Sequence, residues 1–183
     1  MHNLISKTVL VFSVLALVGC SRGKSIADLI KDLKSTDPAV RFEAAKALGE
    51  YGSNAAKAAP DLVETLDDPE AKVRHASARS LGKIGPAGKA AIPNLTNTLK
   101  DSDSRVRHSA AVALGRLGAD SKEAVPNLIP LLKDRDPKIR QAAAQTLGKI
   151  GHDAKPAAEA LKNAQHDKDA HVREAVSRAL KKI

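Results

Sequence analysis

Apolar residues return along this chain in blocks that recur every 33 positions. Val40, Ala44, Ala47 and Leu48 fall at i, i+4, i+7 and i+8, which is one stripe on an α-helix. Arg41, Glu43, Lys46 and Glu50 lie off that stripe. Asp37 offers an N-cap, and Pro38 suits the first helical position because its missing N–H would be unbonded there anyway. Gly49 and Gly52 read as the stop. The pattern predicts a first helix over 38–48. It predicts a second near 60–66, with Leu62, Val63 and Leu66 inward; residues 55–59 either begin that helix early or stay in the loop. Asp67-Asp68-Pro69 then turns the chain into the next unit.

The same marks recur without an insertion. Arg stands at Arg41, Arg74, Arg107, Arg140 and Arg173, each after Val or Ile. Leu stands at Leu48, Leu81, Leu114, Leu147 and Leu180, and Gly at Gly49, Gly82, Gly115 and Gly148. A further Gly follows at Gly52, Gly85, Gly118 and Gly151. Pro60, Pro93 and Pro126 open the second helices, and Leu62, Leu95, Leu128 and Leu161 follow in register. The first unit is a second helix alone, about 25–34, and the last a first helix alone, about 169–183. One such pair cannot bury its apolar face, so neighbours must stack into a shared core. Near the end Pro gives way to Glu159 and Leu to Gln165, as a wetter terminal unit requires. Pro130 falls inside a second helix, where it either kinks the strip or is absorbed by a short helix.

Composition sharpens this picture. Aromatic residues make up 2% of the chain, namely Phe12, Phe42 and Tyr51. A core without large rings must draw its buried area from Ala, Leu, Val and Ile, and therefore from close, repeated helix contact.

The pattern D-P-x-V-R-x-x-A-A-x-A-L-G-x-x-G followed by A-x-P-x-L resembles HEAT repeats, most of all the HEAT-like subtype of phycobilin lyases and deoxyhypusine hydroxylase. The resemblance spans about residues 25–183. It implies an all-α, right-handed α-solenoid of HEAT-like helical-hairpin repeats. It also implies that Arg41, Arg74, Arg107, Arg140 and Arg173 tie adjacent repeats by bonding acidic residues or loop carbonyls. Asp37, Asp103, Asp136, Asp169 and Glu70, each four residues before its Arg, are the expected partners. Since second helices line the concave side in that family, the expected binding strip is Asp61, Glu64, Asn94, Asn97, Asn127 and Asn163.

The first residues differ in character. Lys7 is followed by an apolar run over 8–18, too short for the ~20 residues that span a bilayer and suited to a signal-peptide core. Leu17-Val18-Gly19-Cys20 resembles the lipobox of bacterial lipoproteins, and Cys20 is the only cysteine. The resemblance implies cleavage between Gly19 and Cys20 and lipidation of Cys20. The chain then divides into a removed signal peptide (1–19), an acylated Cys with a short linker (20–24) and the solenoid (25–183). More than one acyl chain anchors stably where one does not. Ser21 rather than Asp after the cysteine implies the periplasmic face of the outer membrane in a two-membrane host.

Without Lys7 the chain keeps 29 basic and 21 acidic residues. Residues 70–183 carry 22 of the basic and 12 of the acidic ones, so the positive field lies away from the anchor. Phosphate contact is one reading of such a field. No aromatic stacking residue accompanies it over 70–183, which disfavours nucleic acid. His75 and His108 share one repeat position; the His-Glu dipeptides that hold iron in the hydroxylases are absent, since Ala76 and Ser109 follow. His152, His166 and His171 read as surface residues. No phosphate loop and no Gly-x-Ser-x-Gly is present, so neither a catalytic residue, a metal site nor a cofactor is expected. The expectation is a monomeric, lipid-anchored scaffold for a protein partner in the cell envelope. The rivals are a lyase-like or hydroxylase-like enzyme and an electrostatic binder of anionic lipid or cell-wall polymer.

Overall fold

The computed structural model describes residues 23–183; the expected signal peptide and the expected cleavage and lipidation pair Gly19-Cys20 lie outside the described residues. Ten α-helices follow one another: α1 (Ile26–Asp32), α2 (Pro38–Tyr51), α3 (Ala59–Glu64), α4 (Ala71–Ile84), α5 (Ile92–Thr98), α6 (Ser104–Leu117), α7 (Val125–Leu131), α8 (Pro137–Ile150), α9 (Ala158–Ala164) and α10 (Ala170–Leu180). No strand occurs among the described residues. Long helices, the even-numbered ones, form one layer, and the short odd-numbered ones form the other. The architecture is an all-α solenoid.

Side chains set the helix starts. Asp37 accepts from the Ala39 N–H at 2.8 Å, Asp103 from Arg105 at 2.8 Å, Asp136 from Lys138 at 2.9 Å and Asp169 from His171 at 2.8 Å. Each carboxylate thus satisfies a first-turn donor that has no partner inside the helix. Ser25 and Asp28 close a reciprocal capping box on α1. The long helices continue through Gly49, Gly82, Gly115 and Gly148 and stop instead at Gly52, Gly85, Gly118 and Gly151, whose φ values run from 55° to 77°. Residues with a Cβ rarely adopt that region, so the second glycine of each unit alone is the terminator.

The first glycine has a different task. A Cβ on Gly82 would lie 2.7 Å from Ala113 Cα, one on Gly148 2.9 Å from Ala179 Cα, and one on Gly115 2.6 Å from Thr146 Oγ1. Missing side chains let the long helices nearly touch along one seam. Ser80 and Thr146 sit in that seam and donate across it to the carbonyls of Ala45 (2.7 Å) and Ala111 (2.8 Å). A buried hydroxyl is thereby paired where an unpaired one would cost about 1–3 kcal/mol.

Between each long helix and the short one after it runs a 3₁₀ turn: Gly52–Ala58, Gly85–Ala91, Gly118–Ala124 and Gly151–Ala157. This resolves the open start of the second helix, because the alanine run before Pro60 is helical, but in the tighter form. Leu48, Leu81, Leu114 and Leu147 from the long layer meet Leu62, Leu95, Leu128 and Leu161 from the short layer, all at 0% exposure. That single figure confirms one continuous dry core. Pro130 leaves α7 as long as α5 and α9, at 7 residues each. A helix with so few internal bonds absorbs one missing donor.

Candidate recognition face

The recurring arginines form a ladder, but not with the residues that the sequence suggested. Asp37, Asp103, Asp136 and Asp169 are occupied as caps. Arg41 instead reaches 27 residues ahead, donating from Nε and Nη2 to Asp68 at 2.6 and 3.0 Å. Arg74 does the same to Asp101 (2.7 and 2.9 Å), Arg107 to Asp134 (2.9 and 3.2 Å) and Arg140 to Asp167 (2.7 and 2.8 Å). The remaining Nη1 of each donates to two carbonyls of its own preceding loop, such as Ser35 (2.8 Å) and Thr36 (3.1 Å) for Arg41. Arg74 Nη1 in turn donates to the Asp68 carbonyl at 2.8 Å. Each aspartate is therefore shared between two arginines, and every loop is locked to the next. Arg173 makes the loop-carbonyl bonds alone, to Asp167 and Lys168.

The missed signal was present in the chain. Asp68, Asp101, Asp134 and Asp167 recur at the same 33-residue step as the arginines. Each also accepts the backbone N–H two residues on, as Glu70 donates to Asp68 at 2.9 Å. Burial alone pushes the Asp68, Asp101 and Asp134 carboxyls up; the arginine and backbone bonds outweigh it and hold all three below the ordinary carboxylate range. At Asp167 the Arg140 bonds are the largest influence, with the same net direction.

Asp61, Glu64, Asn94, Asn97, Asn127 and Asn163 fall on the short layer. Asp61 is already engaged, 3.0 Å from Lys34 Nζ, and Asn94 and Asn127 are half-buried. The two layers are packed unequally. Successive long helices touch along their length. The expected strip lies on the short layer, and the long helices present a second exposed face on the other side of the core.

The open face of the long helices is uneven in chemistry. At one repeat position it carries Phe42, His75, His108, Gln141 and Glu174; one turn on, Lys46, Arg79, Val112, Gln145 and Arg178. A further turn brings Glu50, Lys83, Arg116, Lys149 and Lys182. At these positions acidic residues appear only on the outermost helices, as Glu50 and Glu174, so every fully charged side chain between them is basic. No carboxylate lies within ion-pair distance of Arg79, Lys83, Arg116 or Lys149 among the described residues.

A depression of about 180 Å³ opens on this face between α4 and α6. His75, Arg79, His108, Ser109, Val112, Ala113 and Arg116 line it. His75 Nδ1 lies 3.1 Å from the Arg105 carbonyl and 2.8 Å from Ser109 Oγ. The two partners on one ring nitrogen, a carbonyl and a hydroxyl, hold the His75 ring in place against α6. Burial lowers the His108 pKa; Asp136 pulls it upward, His75 and Lys138 add to the lowering, and the net direction is down. Arg116 lays its stem over the bare Gly82 backbone, 3.4 Å from where a Cβ would stand. A more open hollow of about 440 Å³ runs along the loop edge beside Asn97; of its charged groups, Asp68, Arg74 and Asp101 are committed to the ladder.

Comparison with known proteins places these features. A family profile described as HEAT repeats matches residues 6–82, 59–121 and 118–181. No curated protein matches. Among solved structures, the complex of CpcE and CpcF of phycocyanin lyase from Nostoc sp. PCC7120 is 30% identical with a TM-score of 0.78, over 87% of this chain and 65% of that one. An engineered protein is 28% identical with a TM-score of 0.74, over 86% and 78%. A designed armadillo repeat protein in complex with the peptide (KR)4 shares the fold, at 19% identity and a TM-score of 0.74, over 85% and 80%.

Proposed function

The chain belongs to the HEAT-repeat family, and from that premise we propose that it is a lipid-anchored interaction scaffold of the cell envelope that binds a protein partner on the face of its long helices. One observation carries this reading: a row of cations with no carboxylate in ion-pair distance and a depression of about 180 Å³ share the exposed face of the long helices. Charge gathered on one face without internal partners is surface prepared for contact. Solenoids of this fold take peptides, as the designed armadillo protein does with (KR)4. The anchor rests on the Leu17-Val18-Gly19-Cys20 sequence, and Ser21 favours the outer membrane of a two-membrane host. Only residues 21–24 separate Cys20 from the capping Ser25, a reach of at most ~14 Å, so the solenoid stands close to the lipid surface. No described helix is long and apolar enough to cross a membrane.

The test is co-isolation from detergent-solubilised membranes. A partner recovered with the wild-type protein should be lost from an Arg79→Ser, Arg116→Ser, Lys149→Ser variant and kept by an Asn97→Ser, Asn127→Ser, Asn163→Ser variant. Loss from the second and retention by the first would reverse the choice of face. Cys20→Ser should release the protein from the membrane fraction and abolish labelling by radioactive palmitate; persistence of both would remove the anchor. The similarity to a phycocyanin lyase complex supports a second reading, an enzyme subunit acting on a pigment. A red-shifted, stoichiometric absorbance on adding a linear tetrapyrrole would favour it over the scaffold.

A further inference from the structure

The inference that follows rests on the long-helix face being the contact surface, and it names what that face contacts. The geometry points to an acidic, extended peptide segment of the partner, with one carboxylate seated in the depression between Arg79 and Arg116. Charge complementarity selects the sign. The middle of the face presents Arg79, Lys83, Arg116 and Lys149 with no acidic residue among them. The depression itself is lined by two guanidinium groups, two imidazoles and a hydroxyl, and by no carboxylate.

Its lining suits a carboxylate carried on a side chain. Val112 and Ala113 supply an apolar wall for methylene groups. The two arginines supply planar donor forks, which match a carboxylate in two-point geometry. His75 is held by the Arg105 carbonyl, so its outer nitrogen has a fixed direction. Nucleic acid would need stacking surfaces, and this face offers one aromatic, Phe42, on α2 at its acidic end.

Spacing selects an extended chain. Lys83, Arg116 and Lys149 repeat once per long helix, and packed helices stand about 8–10 Å apart. A chain extended in the polyproline II form has three residues per turn and rises ~3.1 Å per residue, so every third side chain returns to the same side after about 9 Å. A partner segment with Asp or Glu at every third position would meet one cation per repeat.

Fluorescence anisotropy on the signal-free protein tests this, with a labelled 12-residue peptide bearing Glu at every third position among Gly and Ser. Controls are its Gln counterpart, single-stranded DNA of 12 nucleotides, and vesicles of 30% phosphatidylglycerol in phosphatidylcholine. The Glu peptide should bind at moderate salt and the Gln peptide at least tenfold more weakly. Arg79→Gln with Arg116→Gln should weaken the Glu peptide at least tenfold, while Lys100→Gln with Lys133→Gln, outside this face, should change it less than twofold. Both pairs replace exposed side chains, and unchanged circular dichroism verifies the fold. Equal binding of the Gln peptide, equal effects of the two double variants, or tighter binding of DNA or vesicles would each overturn the proposal. If the Glu peptide fails while the Ser variants still lose the co-isolated partner, the acidic chemistry falls and the contact face stands. If both fail, the face falls too.

Discussion

At the residue scale, the arginine ladder makes the sharpest demands. Arg74 and Asp101 are 15% and 10% exposed at the side chain, so removing one leaves the other's charge poorly solvated. Asp101→Ala should destabilise by about 3 kcal/mol, since breaking a buried pair costs on the order of 3–5 kcal/mol and this one keeps some water. Arg74→Ala should cost about as much, and the double variant less than the sum, measurable in urea as a coupling energy. The pH dependence follows from the same groups. The four ladder aspartates titrate lower in the folded chain than in the unfolded one. Their stabilisation is therefore full above the ordinary carboxylate pKa and is lost as pH falls through the folded values. Urea midpoints should hold from pH 7 to about 5 on this account and drop steeply below about 4. His108 adds a smaller step of the same sign. Its folded pKa is depressed, so the unfolded chain takes up the proton first as pH falls below about 6.5. His108→Gln should flatten the stability profile between pH 7 and 5.5.

The residue scale is also where the sequence was least legible. Val-Arg recurrence announced the ladder, yet proximity in sequence pointed to the Asp four residues back, which is drawn away by the nearest unpaired helix N–H. Local capping and long-range pairing compete for the same acidic loop, and spacing alone does not separate them. The doubled acid in Asp101-x-Asp103 and Asp134-x-Asp136 is the mark of both tasks being filled.

At the element scale, the helices were readable and their boundaries less so. Apolar spacing gave α2 its inward Ala44, Ala47 and Leu48, and Pro at the start and Gly at the end bounded it. Two glycines three residues apart looked alike, but only Gly52 and its equivalents take positive φ. The other set is needed for contact between helices, a tertiary fact that no local pattern encodes. This yields a prediction with a counterintuitive sign. Gly82→Ala in a lone helix would stabilise by about 1 kcal/mol. Here the new methyl would sit 2.7 Å from backbone, and the neighbouring helix must move. Overpacking of this kind costs about 1–3 kcal/mol, so the variant should be less stable by thermal melt, and Gly85→Ala less stable for a separate reason, its φ of 77°. Pro130→Ala, by contrast, should gain stability modestly, because the short helix recovers a donor.

At the scale of the whole molecule, the layers divide labour. The repeat phase read from sequence made each unit begin with its long helix, and the family's concave second helix was then assigned to the short one. The structure places Asn97, Asn127 and Asn163 on the short layer and Arg79, Arg116 and Lys149 on the long one, and the recognition face proposed above is the latter. Net charge over 70–183 foretold a basic surface but not which side it would cover; only the stacking of helices gathers those cations into one row. Because adjacent repeats are tied both by the core and by the ladder, a cut in one place should be felt next door. Hydrogen exchange in Asp101→Ala should rise in α4 and α6 together while α10 changes little.

Site-specific photocross-linking in intact cells bears most directly on the recognition face. A photoreactive phenylalanine analogue would be placed singly at Arg79, Arg116 or Gln145 on the long helices, and at Asn97, Glu123 or Asn163 away from them. Cross-linked adducts of one size from the first three positions, and none from the last three, are the expected result. Adducts confined to the last three positions would contradict it.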